Sequence, residues 1–128
     1  MAGACQCSLP YEGTACDLDS RDKFEGVWEG RRACLTSQSG LRYQTWKDSL
    51  NLQVWLAGPF WGSSVDTLAA QLTDPVRLRI PLQLLRDTSL SVEGWASQRW
   101  DSLLIDLEVR GGTGSSQTCL YTLKRRTP

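Results

Sequence analysis

From Gly26 onward the chain repeats with a period of two. Trp28, Gly30, Arg32 and Cys34 fall on one face of a first strand, and Val27, Glu29, Arg31 and Leu35 on the other. Such alternation is the mark of a half-buried β-strand. Ser37-Gln38-Ser39-Gly40 reads as a turn, Leu41 to Lys47 as a second strand and Asp48-Ser49 as a break. Leu50, Leu52, Val54 and Leu56 then alternate with Asn51, Gln53 and Trp55, a strand that Gly58-Pro59 should end. Phe60 to Gly62 reads as loop. Val65 to Leu72 leaves a short helix and a strand both open. Val76, Leu78 and Ile80 alternate with Arg77 and Arg79 until Pro81, which cannot donate to a ladder. Two further strands follow. Leu90, Val92 and Gly94 alternate with Ser91, Glu93 and Trp95; Leu103, Ile105, Leu107 and Val109 alternate with Leu104, Asp106, Glu108 and Arg110. Gly111 to Gly114 is a turn, and Cys119, Tyr121 and Leu123 mark a last strand before a basic tail.

Residues 1–17 are small, polar and rich in cysteine, a loop held by a crosslink. Leu18 to Phe24 offers one helical turn, capped by Asp19 or Ser20 and docked by Phe24. The whole predicts an all-β chain of seven or eight short antiparallel strands. It would form a small up-and-down barrel or a sandwich, with an N-terminal disulfide loop and a helical turn. The inward set Leu50, Leu52, Val54, Leu78, Ile80, Leu103, Ile105 and Leu107 is bulky and favours a filled core.

Length and charge narrow the picture. A chain of 128 residues is one domain with room for a core that needs no metal. Lysine plus arginine equals aspartate plus glutamate, 14 each, which gives no footprint for nucleic acid. No apolar run approaches the roughly 20 residues of a membrane helix. The first residues lack the basic and apolar regions of a signal peptide, so the chain reads as cytosolic or as a mature portion. Histidine is absent, which removes most acid–base triads and catalytic zinc sites. Asp101, Asp106 and Glu108 have no spacing of a catalytic pair or a calcium loop. No enzyme, metal or cofactor is expected.

Five cysteines, Cys5, Cys7, Cys16, Cys34 and Cys119, leave one over. Cys34 lies on the first strand and Cys119 on the last, and those strands are neighbours in a closed barrel. A bridge there would lock closure, and crosslinking so long a loop adds on the order of 4–5 kcal/mol. The alternative is a pair of buried thiols. Disulfides would place the chain outside the cytoplasm.

Two segments carry a resemblance. Cys5-Gln6-Cys7-Ser8-Leu9-Pro10-Tyr11-Glu12-Gly13-Thr14-Ala15-Cys16 resembles the C-terminal half of an EGF-like module, C-x-C-x-x-G-Y-x-G-x-x-C, with Pro10 in place of the first glycine. The resemblance implies that Cys7 pairs with Cys16. It leaves Cys5 for a partner upstream or for a lipid, after Ala2-Gly3-Ala4. Phe24-Glu25-Gly26-Val27-Trp28 resembles the G-x-W opening of lipocalins and related calycin barrels, whose tryptophan plugs the closed end. An arginine near the last strand often packs on that tryptophan, a role for Arg125 or Arg126 here. Ile80-Pro81-Leu82-Gln83-Leu84-Leu85, Val92-Glu93-Gly94 and Thr118-Cys119 then follow in the order found in lipoproteins of the Bacteroidetes cell envelope. This implies residues 1–17 as an EGF-like loop and 18–128 as a lipocalin-like barrel, at the periplasm or cell surface. The family lends no activity.

Trp55 and Trp95 lie opposite the aliphatic stripes of their strands, so they point outward unless the N-terminal loop covers them. Outward, they form a binding patch for a protein or a glycan, since tryptophan and arginine are enriched at hot spots. Phe60 and Trp61 would line the mouth of a barrel that holds a small apolar ligand, or close a filled core as a lid. Trp28, Cys7, Cys16, Cys34 and Cys119 are structural. The expected function is a non-catalytic extracytoplasmic binding module, the alternative an adhesive or structural envelope domain with a filled barrel. Any membrane contact would run through a lipid on Cys5.

Overall fold

A computed structural model describes residues 7–34, 36–49, 52–61, 64–85, 90–111 and 116–126. Cys5, Leu35, Leu50, Gly62 and the Gly112–Gly114 turn lie outside the described residues. Two short strands, β1 (Tyr11–Glu12) and β2 (Leu18–Asp19), pair with each other beside a Cys7–Cys16 disulfide. A 3-10 turn follows at Ser20–Lys23, capped by Asp19, whose carboxylate accepts from the Arg21 N–H.

Eight strands then close a barrel: β3 (Gly26–Ala33), β4 (Ser37–Lys47), β5 (Gln53–Trp61), β6 (Ser64–Asp74), β7 (Arg77–Leu84), β8 (Ser91–Arg99), β9 (Ser102–Arg110) and β10 (Ser116–Arg125). All neighbours are antiparallel in chain order, and β10 returns to β3. The barrel, not the sandwich, is the structure. Cys34 and Cys119 are bridged just past the last pair of that closing seam, Ala33 with Leu120. Two disulfides point toward an oxidising setting, where such bonds form and persist. No helix among the described residues is long and apolar enough to cross a membrane.

Several breaks read from the sequence are bulges inside strands. Gly58-Pro59 does not end β5, and Phe60 and Trp61 are strand, not loop. Pro59 falls in a register shift between Gly58 and Trp61; Pro81 falls in another between Ile80 and Gln83, inside β7. A bulge leaves a residue out of the ladder, so the missing proline N–H costs nothing there. Ser37–Gly40 is also strand, not turn. It holds a bulge with Gly40 at φ 74°, the left-handed conformation a glycine reaches without strain. Residues 65–72 are strand: Asp66, Leu68, Ala70 and Leu72 are all inward and buried.

The interior is occupied by side chains. Trp28 closes one end with no exposed surface; its indole N–H donates to Thr45 Oγ1 (3.0 Å) and to the Phe24 carbonyl (3.2 Å). Arg125 lies over the indole at 4.4 Å and donates to the carbonyls of Lys23 and Glu25, tying the entry turn to the last strand. Arg126 instead pairs with Glu29 at 3.0 Å. Toward the other end Tyr43, Phe60 and Tyr121 pack as a ring triad, centroids 5.2–5.8 Å apart. The β5 bulge frees carbonyls that these groups capture. Tyr43 Oη (2.8 Å) and Arg32 (2.6 Å) donate to Pro59 O, and Tyr121 Oη (2.6 Å) to Phe60 O. Burial holds both phenols well above their ordinary pKa.

Candidate functional site

Antiparallel register sorts the outward residues of β7 to β10 into rows. One row runs Arg79, Trp95, Asp106, Leu120; the next runs Arg77, Ser97, Leu104, Thr122. Trp95, Leu104 and Leu120 therefore stand around Asp106, and they are 41, 45 and 51 % exposed. Between them runs an open groove of about 550 Å³ that Arg77 flanks. A shallower hollow of about 310 Å³ continues past Trp95 toward Glu93 and Glu108.

The charges around this groove are in two states. Arg79 holds the Trp95 ring at 4.9 Å and pairs with Glu93 at 3.2 Å. Arg110 bridges Glu93 (3.1 Å) and Glu108 (2.9 Å), and its hydrogen bond holds the Glu108 carboxyl below the usual range. Arg110 thus quiets two like charges set opposite each other on β8 and β9. Asp106 makes no ion pair or side-chain hydrogen bond among the described residues. Arg77 makes no ion pair there, and its guanidinium lies 5.8 Å from the centre of the Trp95 ring. The wall thus offers one carboxylate and one guanidinium beside an apolar triangle, with Ser97 and Thr122 flanking Leu104 in the next row. Among the described residues no cluster of carboxylates and thiols has the make-up of a metal site.

No known protein family and no curated protein matches this chain.

The structure separates the four residues read as a binding set. Trp95 borders the groove. Trp55 also faces outward but sits on β5, three strands away across β6 and β7, on a different wall. Phe60 has no exposed surface and is core, so it lines no mouth. Trp61 is partly buried and packs against the core at the rim. Leu104 and Leu120 went unread. Their signal was a local failure of alternation, three apolar residues in a row at Leu103-Leu104-Ile105 and at Cys119-Leu120-Tyr121. Only register shows that these two leucines meet beside Trp95.

Proposed function

We propose that this chain is a non-catalytic binding module of the bacterial cell envelope, working outside the cytoplasm, that receives a protein partner on its outer wall. The observation that carries the reading is the apolar triangle of Trp95, Leu104 and Leu120 around Asp106, which has no ion pair among the described residues. The exposed Trp95 with Arg77 beside it supplies hot-spot residue types, and the two leucines add apolar area around the single carboxylate of Asp106. Arg77 and Asp106 would fix the partner's register through opposite charges. The interior is a poor rival, because Tyr43, Phe60, Tyr121 and Trp28 fill it. A small apolar molecule is the second ligand class. The groove has the volume of a ligand pocket but lies open along the wall, whereas such pockets bury most of their ligand. The disulfides and the resemblance to envelope lipoproteins support the location, and a lipid on Cys5 would hold the module at the membrane.

A benzophenone amino acid placed at Leu104, and at Leu82 as a control, tests this in the cells that make the protein. The expected result is a discrete protein adduct from position 104 that Leu120→Glu abolishes. Equal labelling from both positions, or none, would favour a structural domain with no ligand. Native mass spectrometry separates the small-molecule class, which would add mass that denaturation removes.

A further inference from the structure

The outward side chains of β5 and β6 carry no charge between Gln53 and Thr73, in a chain where 22 % of residues are charged. At the centre Trp46 of β4 stands opposite Trp55, and Trp55 opposite Ala69. Trp46 is 36 % exposed. One row away Gln53 pairs with Gln71; on the other side Gln44 adjoins Ala57, which pairs with Thr67. Two indoles are thus bracketed by amides and a hydroxyl, with alanines beside them that leave the rings raised. The bordering arginines turn away: Arg42 toward Glu29 (3.7 Å) and Arg79 toward Glu93 (3.2 Å). The floor is fixed as well. Where β7 bulges from β6, the Gln83 amide donates to and accepts from the Ala69 backbone, 2.9 Å each way, in place of a strand.

We infer that this face of β4 to β6 binds a neutral glycan. Between backbone axes three strands by three rows make a platform about 10 Å by 14 Å, roughly 140 Å². A stable protein interface takes about 800 Å² from each partner, so neither a second copy nor a protein is well held here. The two arginines that border the face, Arg42 and Arg79, are each paired with a glutamate, which leaves little positive charge to draw anionic lipid or an acidic polysaccharide. A pyranose ring presents an apolar C–H face and a rim of hydroxyls. Indoles accept the first, and uncharged amide and hydroxyl groups both donate to and accept from the second. The platform spans two or three such rings. This site is separate from the Trp95 groove and does not depend on it.

Native electrophoresis of the oxidised protein tests the inference in gels holding hydroxyethylcellulose, xylan, galactomannan or dextran, with polygalacturonate as the acidic control. At least one neutral gel should retard the protein. Trp46→Ala should weaken that retardation about tenfold, the loss of one stacked ring. Gln71→Glu, at an exposed position where folding is not at issue, should weaken it too, and Leu104→Glu should leave it unchanged. Retardation by no neutral gel, by polygalacturonate alone, or undiminished from the parent in both Trp46→Ala and Gln71→Glu would overturn it.

Discussion

Removing the Cys34–Cys119 bridge should cost more stability than any other single covalent change. The two residues are 85 positions apart, and closing a loop of that length in the unfolded chain is worth about 4.5 kcal/mol. A domain of this size unfolds with an entropy of roughly 0.27 kcal/mol/K, so loss of the crosslink in Cys34→Ser with Cys119→Ala should lower the melting temperature by about 17 °C. Cys119 has no exposed surface, and the alanine cavity adds about 1 kcal/mol. The Cys7–Cys16 pair closes only 9 positions and lies outside the barrel, so its removal should move the barrel's transition much less. Thermal unfolding followed by far-UV circular dichroism compares the two variants directly. If the barrel melts no lower without Cys34–Cys119 than without Cys7–Cys16, loop entropy does not govern closure and the reasoning fails.

Arg125→Ala removes a cation over Trp28 and two charged hydrogen bonds to carbonyls, so urea titration should show a loss of about 3 kcal/mol. Gly94→Ala would put a Cβ 1.8 Å from the Asp106 carbonyl oxygen, a backbone atom that cannot move alone. Its amide exchange should rise along β8 and β9. Gly58→Ala meets the Tyr43 ring at 2.1 Å, and overpacking there should cost about 1–3 kcal/mol with a shifted tyrosine signal in the near-UV. The Arg21 hydrogen bond holds Asp19 below its ordinary 3.8, so its contribution is full above that pH and fades as the pH falls through the lowered value. Asp19→Asn should therefore be less stable than the parent at pH 6, with the gap closing in acid melts taken well below pH 3.8.

The barrel was legible because every wall strand buries alternate residues, and Leu78 with Ile80 or Leu103 with Ile105 announce the inward side without help from neighbours. The plug was legible for the same reason: Trp28 follows a turn that Phe24 docks, and Arg125 lies at the right parity on the last strand. Pro59, Pro81 and Gly40 misled, since a residue that breaks a ladder in isolation can also mark a bulge within one. Bulges depend on the partner strand, which a single segment does not reveal. The outer wall was half legible. Parity turned Trp55 and Trp95 outward. Their separation onto two walls, and the meeting of Leu104 with Leu120, came from pairings between strands far apart in sequence.

The seam between β3 and β10 sets when this protein can become itself. Six rungs join Trp28–Ala33 to Leu120–Arg125, so the first barrel strand waits for the last one to exist. Until then β3 offers an unsatisfied edge, and contacts of such long range form slowly. A chain that crosses a membrane unfolded would emerge as an open, sticky ribbon of strands. Sealing then follows release rather than synthesis, and oxidation of Cys34 with Cys119 turns a reversible closure into a permanent one. The step most exposed to failure is therefore the interval between arrival and oxidation, where a chaperone or a thiol oxidase would have its largest effect on yield.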